Sequence, residues 1–263
     1  MVVNRRNVVM ATVGIALGLS IGAAFAQQQL VVNGSFETGP AGVQHFPNWE
    51  WIGPADNNSD YGVAQSSASP NVAEQGNYYA YFHGHPTDGS QDCLGESVYL
   101  KVGAQYTISY YLATDGTTLG SGASMWVVIG TSFGIDLSQD IALPSFFPNS
   151  SNALPYQLFT TNITAATNSE ILSFHGIDAT SSILLDNVSV TLVVPQLNLS
   201  LSPANTLAFT WTGSANGYLL QANASLGTTN WVTVTNTPVT VGSSNEVALP
   251  APSGNQFYRL TLP

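Results

Sequence analysis

Tyr106-Thr107-Ile108-Ser109-Tyr110-Tyr111-Leu112-Ala113-Thr114 sets the class of the fold. Its apolar set falls at Tyr106, Ile108, Tyr110 and Leu112, with Thr107, Ser109, Tyr111 and Ala113 between. That period of two belongs to a strand with one face on a core. A helix would return its apolar residues every three to four positions. The same rhythm extends outward. Runs rich in Val, Ile, Thr and aromatics, at 30–33, 77–82, 97–100, 125–130, 156–163, 171–175 and 183–193, alternate with clusters of Gly, Asn, Ser and Pro. No window longer than about ten residues keeps a 3.6-residue apolar period. The chain therefore predicts an all-β protein, and the spacing favours a β-sandwich or jelly roll.

Either side of this region the organisation changes. At the start, Arg5-Arg6 precede an apolar run from Val8 to Ile21, and Ala24-Phe25-Ala26 gives a small-x-small cleavage pattern. Residues 1–26 read as a signal peptide, with Gln27 as the mature N-terminus. The run is too short for a permanent membrane span, and no later segment is long and apolar enough for one. The expected location is therefore secreted, in the periplasm or outside the cell. Near the other end, Val194-Pro195-Gln196 reads as a linker. Beyond it, 207–211, 218–222, 231–235, 246–249 and 257–262 form a second series of strands. The expected domains are a signal peptide at 1–26, a jelly roll at 27–194 and a smaller fibronectin/immunoglobulin-like β-sandwich at 195–263. About 65 residues is near the lower limit for an independent core.

Composition narrows the function. The chain has 263 residues, 44% of them hydrophobic and only 7% charged, with a net charge of −11. Lys101 and Arg259 are the only basic residues beyond position 26, against 15 acidic ones. Such a surface neutralises few phosphates, which excludes nucleic acid and an anionic membrane face as partners. One cysteine, Cys93, allows no internal disulfide and no cysteine-built zinc cluster.

The first domain opens with Leu30-Val31-Val32-Asn33-Gly34-Ser35-Phe36-Glu37 and closes with Leu184-Leu185-Asp186-Asn187-Val188-Ser189-Val190. With Asp92-Cys93-Leu94 and 102–113 between them, these bookends resemble the galactose-binding-like jelly rolls. In particular they resemble the carbohydrate-binding modules of secreted bacterial glycoside hydrolases. The resemblance covers about 28–194 and implies fold more than ligand. It also implies a structural calcium, held by acids of the two bookends at Glu37 and Asp186. The C-terminal stretch, through Leu207-Ala208-Phe209-Thr210-Trp211, Tyr218-Leu219-Leu220-Gln221, Leu226, Trp231 and Phe257-Tyr258-Arg259-Leu260, is similar to a small β-sandwich that ends many secreted bacterial proteins. That likeness implies a spacer or attachment module.

Pleat parity gives a separate argument for the cation. Unbroken alternation puts Asp186 on the same face as Leu184, Val188, Val190 and Leu192, and a carboxylate in an apolar row needs a cation or hydrogen bonds. Calcium, which takes six to eight oxygens, suits Glu37, Asp186 and backbone carbonyls. The alternative is that Asp186 caps a turn at a strand end.

Sugars are held by aromatic rings beside short polar groups. In 106–114, Tyr111 falls on the non-core face. In 125–130, Met125, Val127 and Ile129 read as core, sending Trp126 outward. A hairpin around 115–123 would set Tyr111 opposite Trp126. His175 falls on the open face beside Ser173. In Asn77–Phe82 the parity leaves either Tyr78/Phe82 or Tyr79/Tyr81 outward. The candidate ligand-binding residues are thus Tyr111, Trp126, Tyr79, Tyr81 and His175. Trp49, Trp51, Trp211 and Trp231 read as core or interdomain.

Enzyme signatures are thin. Gly130-Thr131-Ser132-Phe133-Gly134 matches a nucleophile elbow, but no helix pattern follows it. His83-Gly84-His85 lies in a turn-rich loop, and Glu50, Asp115 and Glu170 have no sequence reason to converge as glycosidase acids. The expectation is a secreted, non-catalytic protein binding a polysaccharide or cell-surface glycan. The alternative is a purely structural cell-surface or extracellular-matrix protein with no small-ligand site.

Overall fold

The computed structural model describes residues 29–39, 47–51, 61–66, 72–83, 92–115, 122–131, 134–143, 147, 155–177, 181–213 and 217–262. The expected signal peptide, His85 and Ser132 lie outside them. The chain divides into two compact units, Ala26–Val193 and Val194–Pro263.

Among the described residues of the first unit, ten strands form two antiparallel sheets: β1 (Glu50–Trp51), β2 (Tyr61–Gln65), β3 (Tyr78–Phe82), β4 (Asp92–Tyr99), β5 (Gln105–Thr114), β6 (Ser124–Thr131), β7 (Gly134–Ala142), β8 (Gln157–Thr164), β9 (Ser169–Ile177) and β10 (Ile183–Leu192). The first sheet runs β2-β3-β10-β5-β8 and the second β1-β4-β9-β6-β7. Their inner faces make the core. Tyr106, Ile108, Tyr110 and Leu112 of β5 and Met125, Val127 and Ile129 of β6 are all buried. Across the sandwich, Tyr110 of the first sheet meets Phe174 of the second edge to face, with centroids 5.1 Å apart. Phe174 also packs on Trp49, and Trp49 on Phe36. Fully burying such a side chain contributes roughly 1.5–3 kcal/mol. The architecture is an all-β jelly-roll sandwich.

The two bookends meet. Val188 N donates to Gly34 O at 2.8 Å and Leu30 N to Val190 O at 3.0 Å. The Gln29 side chain accepts from Val190 N and donates to Val188 O. A Cβ on Gly34 would overlap the Val188 carbonyl, so only glycine permits this approach. The expected strand at 30–33 is absent, apart from an isolated bridge between Gln29 and Thr191. Asn33 and Phe36 take positive φ, of 60° and 59°, and Val31 N and Val32 N donate to side chains of Gln29 and Glu96. Side-chain acceptors thus replace a ladder.

Two expectations about register are corrected. The 106–114 and 125–130 strands do not form a hairpin. β5 is flanked on both edges by β10 and β8, and β6 by β9 and β7, so they lie in opposite sheets. Asp186 is not on the core face. Leu184 pairs with Ala113 and Asp186 with Tyr111, all on the outer side, while Ile183 and Leu185 face inward. A β-bulge between Asp186 and Ser189, with Asn187 at φ 49°, then inserts a residue and turns Val188 and Val190 inward.

The second unit contains β11 (Asn198–Leu201), β12 (Thr206–Thr212), β13 (Leu219–Asn223), β14 (Val232–Thr233), β15 (Val239–Val241), β16 (Ser244–Pro250) and β17 (Phe257–Thr261). They form sheets β11-β12-β16-β15 and β14-β13-β17. The four-stranded order matches the ABED sheet of immunoglobulin constant-type sandwiches. Leu207, Phe209, Trp211, Tyr218, Leu220 and Val247 are its buried core, and Phe209 meets Tyr258 across the sheets at 4.3 Å. Trp211 is core as expected. Trp231 instead lies half-buried under the Arg259 guanidinium, 4.3 Å above its ring. The side chain of Trp51 lies outside the described ones.

Candidate functional site

The opposite-sheet arrangement divides the five candidate ligand residues between two outer faces. Tyr79, Tyr81 and Tyr111 stand on the first sheet, Trp126 and His175 on the second. The structure does not bring Tyr111 to Trp126.

On the first sheet the tyrosines build a small satellite core. Tyr79, Ala113 and Leu184 are buried together, with Tyr81, Tyr156, Ala64 and Ala73 packed against them. Tyr79 is only 4% exposed, and burial raises its phenol above its ordinary pKa. The Tyr156 hydroxyl is buried without a hydrogen-bond partner, and its pKa is also raised by burial.

Asp186, paired with Tyr111, is fully buried. Its Oδ2 accepts from Glu74 N at 2.8 Å and Gln75 N at 3.0 Å, and its Oδ1 from Asn187 N at 2.6 Å. Burial raises its pKa to about 7 against the pull of these three bonds. Glu37 Oε1 accepts from Asn77 N and Tyr78 N, both at 2.7 Å. The two bookend acids therefore close on one segment, residues 74–78. Their oxygens are the hard donors calcium prefers. Yet N–H donors already satisfy Asp186, so its burial requires no cation. Among the described residues no group of three or more His, Cys, Asp or Glu side chains is placed to hold a metal.

The outer face of the second sheet is built differently. Pairing sets Cys93, His175, Trp126 and Asp140 in one row across β4, β9, β6 and β7. Glu50, Gly95, Ser173, Val128 and Ser138 make the next row. Trp126 is 36% exposed, its ring tilted 41° against His175 with centroids 5.2 Å apart. Its Nε1 donates to Ser138 Oγ at 2.9 Å. Ser173 Oγ and Cys93 Sγ lie 3.0 and 3.4 Å from His175 Nε2. Burial lowers the His175 pKa, which favours the uncharged ring. The result is a fixed, partly exposed indole beside an imidazole, with hydroxyls on the strands either side.

Beyond Gly95 this face continues into a hollow of about 500 Å³ at the β1–β4–β9 edge. Glu96 in its wall is 5% exposed, with Oε1 accepting from Val32 N at 2.8 Å and Oε2 lacking a hydrogen-bond partner. Burial raises its pKa to about 7. Sequence reasoning missed Ser138, Asp140 and this hollow. The alternation Ser138, Asp140, Ala142 in β7 is the signal that places the first two.

The enzyme-like features fall apart in three dimensions. The elbow motif spans the end of β6 and the start of β7, paired Thr131 to Gly134, so a strand follows it where the elbow needs a helix. Glu50 is exposed on the outer face, Asp115 accepts from Ser182 N at 3.0 Å, and Glu170 is buried beside Thr167.

No protein-family model matches the chain, and no curated protein matches it. Among solved structures it is similar to a family 4 carbohydrate-binding module, at 22% identity and TM-score 0.41, over 62% of this chain and 99% of that one. The TmCBM61 module in complex with β-1,4-galactotriose matches at 14% identity and TM-score 0.43, over 63% and 99%. The CBM22-1 xylan-binding domain of Paenibacillus barcinonensis Xyn10C matches at 18% identity and TM-score 0.38, over 64% and 96%. Among the described residues no helix is long and apolar enough to cross a membrane.

Proposed function

We propose that this is an exported, non-catalytic protein whose jelly-roll unit binds carbohydrate, a polysaccharide or cell-surface glycan, on the outer face of the second sheet. The observation that carries this reading is Trp126. A large indole left 36% exposed and held by a hydrogen bond to Ser138 serves no core. It offers a flat apolar surface to the C–H face of a sugar ring, at little entropic cost because the ring is already fixed. Ser138, Asp140 and His175 supply donors and acceptors for hydroxyls. The first sheet is the poorer platform, since Tyr79 and Tyr81 are spent on packing. The C-terminal unit is read as a spacer or attachment module.

Calcium at Glu37 and Asp186 stays a proposal beside this one. It would tie the two bookends to the 74–78 segment, adding to the N–H bonds there. Thermal unfolding with excess calcium and then chelator tests it. A rise in melting temperature that disappears in Asp186→Ala supports it, and no shift at millimolar calcium removes it.

Carbohydrate binding is tested by affinity electrophoresis of the exported protein through soluble β-1,4-galactan, xylan and β-glucan. Retardation by one of them, lost in Trp126→Ala and kept in Tyr111→Ala, is the expected result. No retardation by any would put the structural-protein reading first.

A further inference from the structure

The hollow beyond Gly95 lies on the same face as Trp126 but is built from different residues. Its lining includes Glu50, Gly95, Glu96, Ser97, Tyr99 and Ile171. At about 500 Å³ it is within the range of ligand pockets, roughly 300–1,000 Å³. Tyr99 is 76% exposed and Ile171 39%. These are large apolar side chains that the core does not use, gathered at the mouth of a concavity.

We propose that this hollow is a second sugar position of the same face, so that the site takes an uncharged oligosaccharide rather than a single sugar or an acidic one. The inference rests on the carbohydrate-binding reading above. Three features argue for it. The wall combines an aromatic ring and aliphatic groups with carboxylate and hydroxyl oxygens, which suits a ring with an apolar face and a hydroxyl rim. The oxygens of Glu50 and Ser97, both exposed, are open to a ligand's hydroxyls. Finally, the wall holds the exposed acidic side chain of Glu50 and no basic one. A uronic acid would meet like charge in a partly desolvated setting, whereas a neutral sugar would not.

The spacing fixes the length requirement. Ile171 follows the same strand as His175 four residues away, on the same face, which is about 13 Å at roughly 3.3 Å per residue. One sugar ring cannot touch both places. A ligand that reaches from Trp126 to Tyr99 has to be a chain, and its second contact adds to the first as an intramolecular event.

The test is calorimetric titration of the full exported protein with mono- to hexasaccharides of β-1,4-galactan, β-1,4-xylan and β-1,4-glucan. For the series that binds, affinity is expected to rise by about tenfold or more once the chain spans both positions. Tyr99→Ala removes that rise and leaves the short members unchanged, whereas Trp126→Ala removes binding of all. Because Tyr99 is so exposed, its replacement does not threaten the fold. Glu50→Lys gives measurable binding of tri-galacturonate, which the parent protein rejects. A length-independent affinity, or full long-chain affinity in Tyr99→Ala with Trp126 still essential, overturns the inference and leaves carbohydrate binding standing. Silence from every series overturns both.

Discussion

Glu96→Gln isolates one buried carboxylate and allows its effect to be worked out in advance. Glu96 is 5% exposed, has one oxygen on Val32 N, and has no donor for the other. Desolvation lifts its pKa from 4.5 to about 7. Since the folded value exceeds the unfolded one, the folded state binds the proton more tightly. Its stabilising effect is therefore fully present below about pH 4.5 and is lost as pH rises through about 7. A displacement of this size amounts to about 3 kcal/mol, at roughly 1.36 kcal/mol per pH unit. Glutamine keeps an oxygen for Val32 N and carries no charge. Wild type and Glu96→Gln should therefore unfold at similar urea concentrations at pH 5, and the variant should lead by about 1–3 kcal/mol at pH 8. Asp186, raised in the same direction, tilts both curves alike, so the difference between the proteins reports Glu96 alone. A difference that stays flat from pH 5 to 8, or that favours wild type at pH 8, would refute the burial argument.

Other outcomes follow from the same geometry. Asp186→Ala removes three hydrogen bonds to one carboxylate and should cost about 2–4 kcal/mol in urea unfolding, with faster amide exchange at 74 and 75. Glu37→Ala should speed exchange at 77 and 78 and leave 74 and 75 protected; acceleration across the whole segment would show that the two acids act as one clasp. Gly34→Ala forces the Val188 carbonyl away and should cost more than about 2 kcal/mol, and an unaltered midpoint would mean the bookends are not in close contact.

Parity within one strand was legible without coordinates. Tyr106, Ile108, Tyr110 and Leu112 face inward, as do Met125, Val127 and Ile129, and so Trp126 and Tyr111 point outward. Such parity is local, because successive Cβ atoms alternate whatever lies beyond the strand. Two kinds of fact escaped this logic. One was a bulge: Asn187 takes an αL turn that Asn tolerates well, and this single residue moved Asp186 to the opposite face from Val188 and Val190. The other was pairing between strands distant in sequence. β5 and β6 are neighbours in sequence, yet each has both edges occupied by other strands.

The sequence by itself determined the all-β class, the core sets of β5 and β6 and the two bookends that close the first unit. Periodicity and composition act on the chain locally and leave a direct trace in the order of residues. Only the tertiary structure decided that Trp126 neighbours His175 instead of Tyr111, that Tyr79, Tyr81 and Tyr156 pack around Ala113 and Leu184, and that Glu50, Ser97, Tyr99 and Ile171 share one hollow. Each of these joins residues from different strands, and which strands become neighbours is settled by how the two sheets bury their common core.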